Sequence, residues 1–187
     1  EQDASNRNHL LKYCDYVEIV PQVDYNPWDT RALAGLFSLT PRCLLDTYSQ
    51  EMATRVQRRL DSGRYDLLIA CEFGTILYAL TAKGVPKVLE DAEVGLLPAL
   101  REPGVPILPR LRAQLTRVKM ASFLRRHAHE FNLWTVDSEV EANRLRAMAP
   151  NLEATAVVPN GVEFRRYLQD YGRRDPNTII YPGALTY

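Results

Sequence analysis

The sequence has 187 residues, and its 23 basic side chains are balanced by 23 acidic ones. The length suits one full domain, and hydrophobic residues at 46% are sufficient for a buried core. The even charge gives no overall basis for nucleic-acid binding, and no apolar run is long enough to predict a membrane-spanning helix.

Short apolar runs alternate with helical patterns along the chain. We predict strands at 16–20, 65–71, 86–89, 133–136, 154–158 and 178–181. We predict helices at 27–38, 46–62, 74–84, 107–131 and 139–148, the second of them ending at a Gly63 C-cap. Nearly continuous apolar strands separated by helices are typical of a parallel sheet covered on both faces. The predicted fold class is therefore α/β, a Rossmann-like parallel sheet with helices on both faces.

The segment "DYGRRDPNT" at 170–178 is the most linker-like part of the sequence, because it combines Gly, Pro and two Arg. We place the domain boundary there. Residues 1–172 form the predicted N-terminal Rossmann-like domain, and 173–187 form a linker and the first strand of a second domain. Since the chain begins at Glu1 and stops just after a predicted strand, we expect it to be a fragment cut at both ends.

The three cysteines, Cys14, Cys43 and Cys71, are odd in number and have no CxxC spacing. This pattern favours reduced core thiols in a cytoplasmic protein over zinc ligation or a disulfide framework. The histidines show no metal-binding spacing either, so we expect no metal site.

Polar or glycine-containing loops follow the predicted strands. In open parallel sheets, ligands bind beyond the carboxyl ends of the strands. The candidate residues at those ends are Glu72, Asp91, Glu93, Asp137, Ser138, Asn160, Gly161 and Gly183. Any one of these loops is also explained as the ordinary polar loop of an α/β protein. Ser138 in particular has a local role, since Glu141 follows it at the spacing of a helix capping box.

The predicted 107–131 helix is strongly basic. The segment contains six cations and only one acid, Glu130. One helical stripe contains Leu108, Leu111, Leu115 and Val118. The cations are Arg110, Arg112, Arg117, Lys119, Arg125 and Arg126. Two interpretations stay open. The Arg110–Arg126 helix makes peripheral contact with an anionic membrane, or it packs in the domain and exposes a solvated basic face.

Three segments in order carry a resemblance to a known family. They are "TVDSEVEANRL" (135–145), "VVPNGVEFRRY" (157–167) and "IIYPGALTY" (179–187). Together they resemble the GT-B glycosyltransferases of family four, also called group 1 glycosyltransferases. Glu163 stands where that family more often has Asp, and Tyr167 where it more often has Phe.

The resemblance implies that the chain is the N-terminal, acceptor-binding domain of a retaining glycosyltransferase. Such an enzyme transfers a sugar from a nucleotide-sugar to a glycan or lipid-linked glycan, here in bacterial polysaccharide biosynthesis. It is cytoplasmic, at the inner face of the membrane, and uses no metal or bound cofactor beyond its nucleotide-sugar co-substrate. Gly183 would belong to a partial donor site. The family's first strand and Gly-rich loop would lie upstream of Glu1, and the isolated chain is predicted to be inactive.

The resemblance also gives Asn160 and Gly161 a role. In the family, the Pro-Asn-Gly turn ends the last major strand beside the cleft between the two domains. An Asn-Gly pair permits a positive φ and a close approach of the backbone, so the chain can turn sharply out of the sheet.

A loop with three carboxylates, Glu90, Asp91 and Glu93, stands where many relatives have a His-containing loop on the acceptor side. Alternation along an extended chain would send Asp91 to one side and Glu90 with Ala92 to the other. Either all three carboxylates are solvated, or Asp91 faces the cleft and accepts hydrogen bonds from sugar hydroxyls. We take Asp91 as the candidate catalytic residue.

Two other functions remain open on the sequence. The parent protein could be a GT-B sugar epimerase or phosphorylase, which its C-terminal domain would decide. Alternatively, the chain could be a non-catalytic α/β module that binds a small molecule.

Overall fold

The computed structural model describes residues 7–21, 35, 37–63, 65–94, 107–152, 154–168, 172, 175 and 177–178. Its helices are α1 (Arg42–Asp46), α2 (Gln50–Asp61), α3 (Ile76–Thr81), α4 (Ile107–His127) and α5 (Glu139–Met148). Its strands are β1 (Leu68–Cys71), β2 (Lys87–Glu90), β3 (Leu133–Val136) and β4 (Thr155–Val157). Short 3₁₀ turns cover Phe73–Thr75, Ala128–Glu130 and Phe164–Tyr167.

The four strands form one parallel sheet in the order β1-β2-β3-β4. Ala70 pairs with Leu89 in the first ladder, Leu89 with Trp134 in the second, and Trp134 with Thr155 in the third. Each connection between neighbouring strands passes through at least one helix, as a parallel sheet requires. The predicted α/β, Rossmann-like fold class is confirmed.

Apolar side chains between the sheet and the helices form a single core cluster. Trp134 and Leu89 contribute from the central strands, Ile76 from α3, Phe123 from α4 and Leu145 from α5. The helix α1 lies beside the 3₁₀ turn that follows β1, α3 lies beside β1 and the same turn, and α5 packs on β3, β4 and α4. Burial of these large side chains is the main stabilising contribution to the sheet.

Three helix boundaries follow from local chemistry. The Ser49 hydroxyl accepts a hydrogen bond from the Met52 N–H at 3.2 Å, so α2 begins at Gln50 and not at the predicted residue 46. The same helix is followed by Gly63, whose φ of +66° confirms the predicted glycine at the C-terminal end. Ser138 caps α5 through the Glu141 N–H at 3.3 Å, and α5 has the predicted bounds.

The strand predicted at 16–20 is wrong. These residues are largely exposed and pair with no described strand. Side chains hold the segment instead: the Arg59 guanidinium lies 3.5 Å from the centre of the Tyr16 ring, and Arg59 donates to the Glu18 carboxylate at 2.9 Å. Contacts with α2 therefore replace a ladder of backbone hydrogen bonds.

The prediction that the cysteines are core residues is also wrong. Cys14, Cys43 and Cys71 are free and exposed. Cys71 belongs to β1, the end strand of the described sheet, where Ala70 is buried but Ile69 and Cys71 on the other face are open. β1 is apolar throughout, which predicts burial on both faces, whereas its Ile69 and Cys71 face is open.

Two predictions lie mostly outside the described residues. The strand at 178–181 is described only at residue 178, and the helix at 27–38 only at residues 35, 37 and 38, which are not helical. The domain boundary near residue 172 stays a prediction.

Candidate functional site

The carboxyl ends of the four parallel strands deliver polar residues to one edge of the sheet. Glu72 follows β1, Asp91 follows β2, Asp137 follows β3, and Asn160 lies three residues beyond β4. Because neighbouring strands are spaced by about 4.8 Å and β3 lies between them, β4 is about 10 Å from β2 across the sheet. We call this set of strand ends the carboxyl edge.

A pocket of about 260 Å³ opens at the β1–β2 side of the carboxyl edge. Three of the candidate residues, Glu72, Asp91 and Glu93, line it together. The rest of the lining comes from the 3₁₀ turn and from two helices: Phe73, Gly74, Cys43, Leu44 and Met120. The pocket therefore combines three carboxylates with apolar walls, a composition suited to a small polar ligand with hydroxyl groups.

Two pocket residues have left-handed backbone. The φ angle is +62° at Glu72 and +57° at Asp91. With a ψ of 163°, Glu72 occupies a region that is populated almost only by glycine and costs on the order of 1–3 kcal/mol for other residues. Hydrogen bonds to the neighbouring strands secure both turns. The Glu72 N–H donates to the Glu90 carbonyl at 2.8 Å, and the Asp91 N–H donates to Thr135 Oγ1 at 3.2 Å.

The alternation predicted for this loop is wrong. Ala92 is fully buried and joins the core, whereas Glu90 is exposed, so the two do not share one environment. The positive φ of Asp91 ends the extended segment and directs the chain toward β3. There the Ala92 N–H donates to the Thr135 carbonyl at 2.9 Å. Simple alternation holds only while the backbone stays extended.

The carboxylates influence each other. Burial raises the pKa of Glu93, and the nearby negative charges of Asp91, Asp137, Glu141 and Glu72 raise that pKa further. The carboxyl edge therefore has a negative field that opposes ionisation of Glu93. A ligand that donates hydrogen bonds fits such a field, whereas a phosphate group does not.

Asp137 supplies an unsatisfied acceptor at the same edge. Its Oδ1 atom is buried and has no hydrogen-bond partner in the described part of the chain. Buried polar atoms are almost always hydrogen-bonded, and an exception calls for a ligand, water or ion. The sequence alone indicates Asp137 only by its position after a strand.

The remaining predicted residues have other places. Ser138 is half-buried and caps α5, as the sequence indicates. Asn160 and Gly161 are exposed, lie outside the lining of this pocket and do not adopt the positive φ that an Asn-Gly pair permits. A Cβ atom added to Gly161 would meet no atom within 4 Å, so no close backbone approach requires glycine there. Gly183 lies outside the described residues.

Sequence reasoning missed the pocket walls. Cys43 and Leu44 belong to α1, a helix that we did not predict, and Met120 comes from the buried face of α4. These residues are distant from Glu72 and Asp91 in the sequence and meet them only through packing. The nearest signal was "PRCLLD", where Pro41 precedes the first turn of α1.

Across the described ranges, no group of three or more His, Cys, Asp or Glu side chains is arranged to hold a metal ion. No helix within them combines the length and apolar character needed to cross a membrane. Neither a family model, nor a curated protein, nor a solved structure matches the chain.

Proposed function

We propose that this chain is the acceptor-side domain of a retaining glycosyltransferase that uses a nucleotide-sugar donor. The acceptor is a glycan or lipid-linked glycan, as in polysaccharide biosynthesis. The proposal rests on the ordered motifs at 135–145, 157–167 and 179–187 together with the chemistry of the carboxyl edge. It puts the enzyme in the cytoplasm, at the inner face of the membrane.

One observation supports the proposal most strongly. Glu72, Asp91 and Glu93 line one pocket, and at the same edge a buried Asp137 oxygen has no described partner. Carboxylates that are partly shielded from water are strong acceptors for hydroxyl donors. A sugar presents several hydroxyl groups at once, so it can satisfy these acceptors without adding negative charge.

The negative charge of the carboxyl edge suits the sugar acceptor and disfavours the phosphates of the donor. A nucleoside diphosphate would be repelled by Asp91, Glu93 and Asp137, so the donor phosphates belong on the opposite wall of a two-domain cleft. In this arrangement Asp91 orients an acceptor hydroxyl, and the strained turns at Glu72 and Asp91 hold the carboxylates in position. Positioning of this kind lowers the entropic part of the barrier to glycosyl transfer.

A binding module without catalysis is the second candidate. The same pocket geometry supports it, because carboxylates and apolar walls also suit simple carbohydrate binding. An epimerase or phosphorylase on the same fold is a third candidate, and nothing at the carboxyl edge favours it over a transferase.

A longer chain containing the donor-side domain decides between these functions. It would be incubated with UDP-glucose, UDP-galactose or GDP-mannose and a mixture of oligosaccharides, and release of nucleoside diphosphate and of elongated glycan would be measured. We expect acceptor-dependent turnover of at least one donor and none by the 187-residue chain alone. Turnover by the short chain would contradict the two-domain arrangement. Carbohydrate binding without turnover in the longer chain would favour the binding module.

A further inference from the structure

The helix α4 has two apolar faces, and only one of them is packed. Ala113, Met120, Phe123 and Leu124 are buried against the core. On the opposite side, Ile107, Leu111, Leu115 and Val118 are 75%, 61%, 45% and 56% exposed. These four residues recur at helical spacing and form a continuous row, which we call the α4 stripe. Three members of the stripe predicted from the sequence, Leu111, Leu115 and Val118, therefore lie on the exposed face of α4 and not on the face that packs in the domain.

Basic residues border the α4 stripe. At 3.6 residues per turn, Arg110 and Arg117 lie along one side of it, and Lys119 and Arg126 lie along the other. No Asp or Glu occurs from Ile107 to His127, although the whole chain is neutral. The helix α4 therefore combines an exposed apolar face with cationic borders and contributes no acid of its own.

A shallow basic groove continues this surface. It has a volume of about 360 Å³ between α4 and α5, and its lining includes Arg117, Val118, Arg125 and Met148. The Arg125 Nε donates to the Met148 carbonyl at 2.9 Å, which fixes that guanidinium at the end of the groove. Arg117 and Arg125 therefore line the same groove as the apolar Val118.

We propose that the α4 stripe and its basic borders bind the surface of an anionic phospholipid bilayer. The apolar side chains would enter the interface between headgroups and acyl chains, and the arginines would contact lipid phosphates. Charge complementarity selects this occupant, because another protein surface would have to be apolar and acidic at once, whereas an anionic bilayer offers both properties everywhere. The proposal does not depend on the glycosyltransferase function.

Vesicle flotation tests the proposal with the full 187-residue chain. We expect the chain to float with vesicles of equimolar phosphatidylcholine and phosphatidylglycerol, and to remain unbound with phosphatidylcholine alone. Raising the salt concentration should release it, since screening weakens attraction between charges. Failure to float with the anionic vesicles at low salt would overturn the proposal.

Paired variants separate the two parts of the surface. The change Leu111→Gln with Val118→Gln removes apolar contact, and Arg117→Gln with Arg126→Gln removes charge. We expect roughly tenfold or greater loss of vesicle affinity for the first pair. The second pair should lose about fivefold for each neutralised charge. All four side chains are exposed, so the fold should be retained, which circular dichroism would check.

Controls from other helices complete the test. Val140→Gln changes a valine on α5 that is 59% exposed beside an acidic neighbour, and Arg58→Gln changes an exposed arginine on α2. Neither should alter vesicle binding. If the control variants weaken binding as much as the α4 variants, the α4 stripe is not the membrane surface. A dimer that the Leu111 and Val118 changes dissociate, without any vesicle binding, would show instead that a second copy covers the stripe.

Discussion

The backbone N–H of Asp91 donates to the Oγ1 atom of Thr135 at 3.2 Å, which joins the candidate catalytic loop to the neighbouring strand β3. Thr135 is buried, and its carbonyl also accepts from the Ala92 N–H at 2.9 Å. The N–H groups of Asp91 and Ala92 therefore both donate to Thr135. This relationship holds Asp91 in its left-handed conformation at the mouth of the pocket.

Replacing Thr135 with valine tests this anchor. Thr135→Val keeps the shape of the side chain but removes the acceptor, so the Asp91 N–H loses its partner at a half-buried position. We expect the free energy of unfolding to fall by about 1–3 kcal/mol, measured by urea denaturation. Thr135→Ser keeps the hydroxyl and should stay closer to the unmodified protein. A Thr135→Val variant as stable as the unmodified protein would show that this hydrogen bond does not contribute to stability.

The strained backbone at Glu72 predicts that a glycine at this position stabilises the protein. Its φ of +62° and ψ of 163° suit glycine, so Glu72→Gly should raise the free energy of unfolding by about 1 kcal/mol. Glu72→Gln keeps the backbone restriction and serves as the control. Ligand binding at the pocket should weaken in Glu72→Gly, because this variant loses one carboxylate. A glycine variant less stable than the glutamine variant would contradict the assigned strain.

The raised pKa of Glu93 predicts a pH-dependent contribution to stability. The folded state favours the protonated carboxyl, so this contribution is fully present below the ordinary glutamate pKa of 4.5 and is lost as the pH rises through the raised value. Glu93→Gln removes the effect. We expect similar unfolding free energies for variant and unmodified protein in acid, and a more stable variant at neutral pH. Asp66→Asn, at an exposed residue before β1, is the matched control.

The reactivity of the Cys71 thiol depends on the neighbouring Glu90 carboxylate. The Cys71 thiol interacts with the Glu90 carboxylate, and this hydrogen bond, followed by burial and neighbouring negative charge, raises the pKa of Cys71 to about 11. Glu90→Gln should lower that pKa and increase the thiolate fraction near neutral pH. Iodoacetamide should then modify Cys71 several-fold faster, as followed by mass spectrometry of the Cys71 peptide. An unchanged rate would remove Glu90 as the cause.

Several elements were predictable because their signals are local. The β3 and α5 boundaries follow from the apolar run at Leu133–Val136 and from the Ser138 cap. The shared edge of Glu72 and Asp91 follows from parallel strands alone. The left-handed φ at these two residues was not predictable, because neither is glycine and the turns are stabilised by partners on other strands. Met120 and Cys43 reach the pocket only through tertiary packing.

Under the proposed function Asp91 positions an acceptor hydroxyl, and we would test this by measuring kcat/KM of a longer chain that includes the proposed donor-side domain, with and without Asp91→Asn. Asparagine keeps the shape and tolerates a positive φ, so the melting temperature should be unchanged. We expect Asp91→Asn to lose roughly tenfold or more in kcat/KM, about 1.4 kcal/mol of transition-state stabilisation, and Asp66→Asn to lose none. Unchanged kinetics in the Asp91→Asn enzyme would contradict the claim and make Asp91 a solvated loop residue.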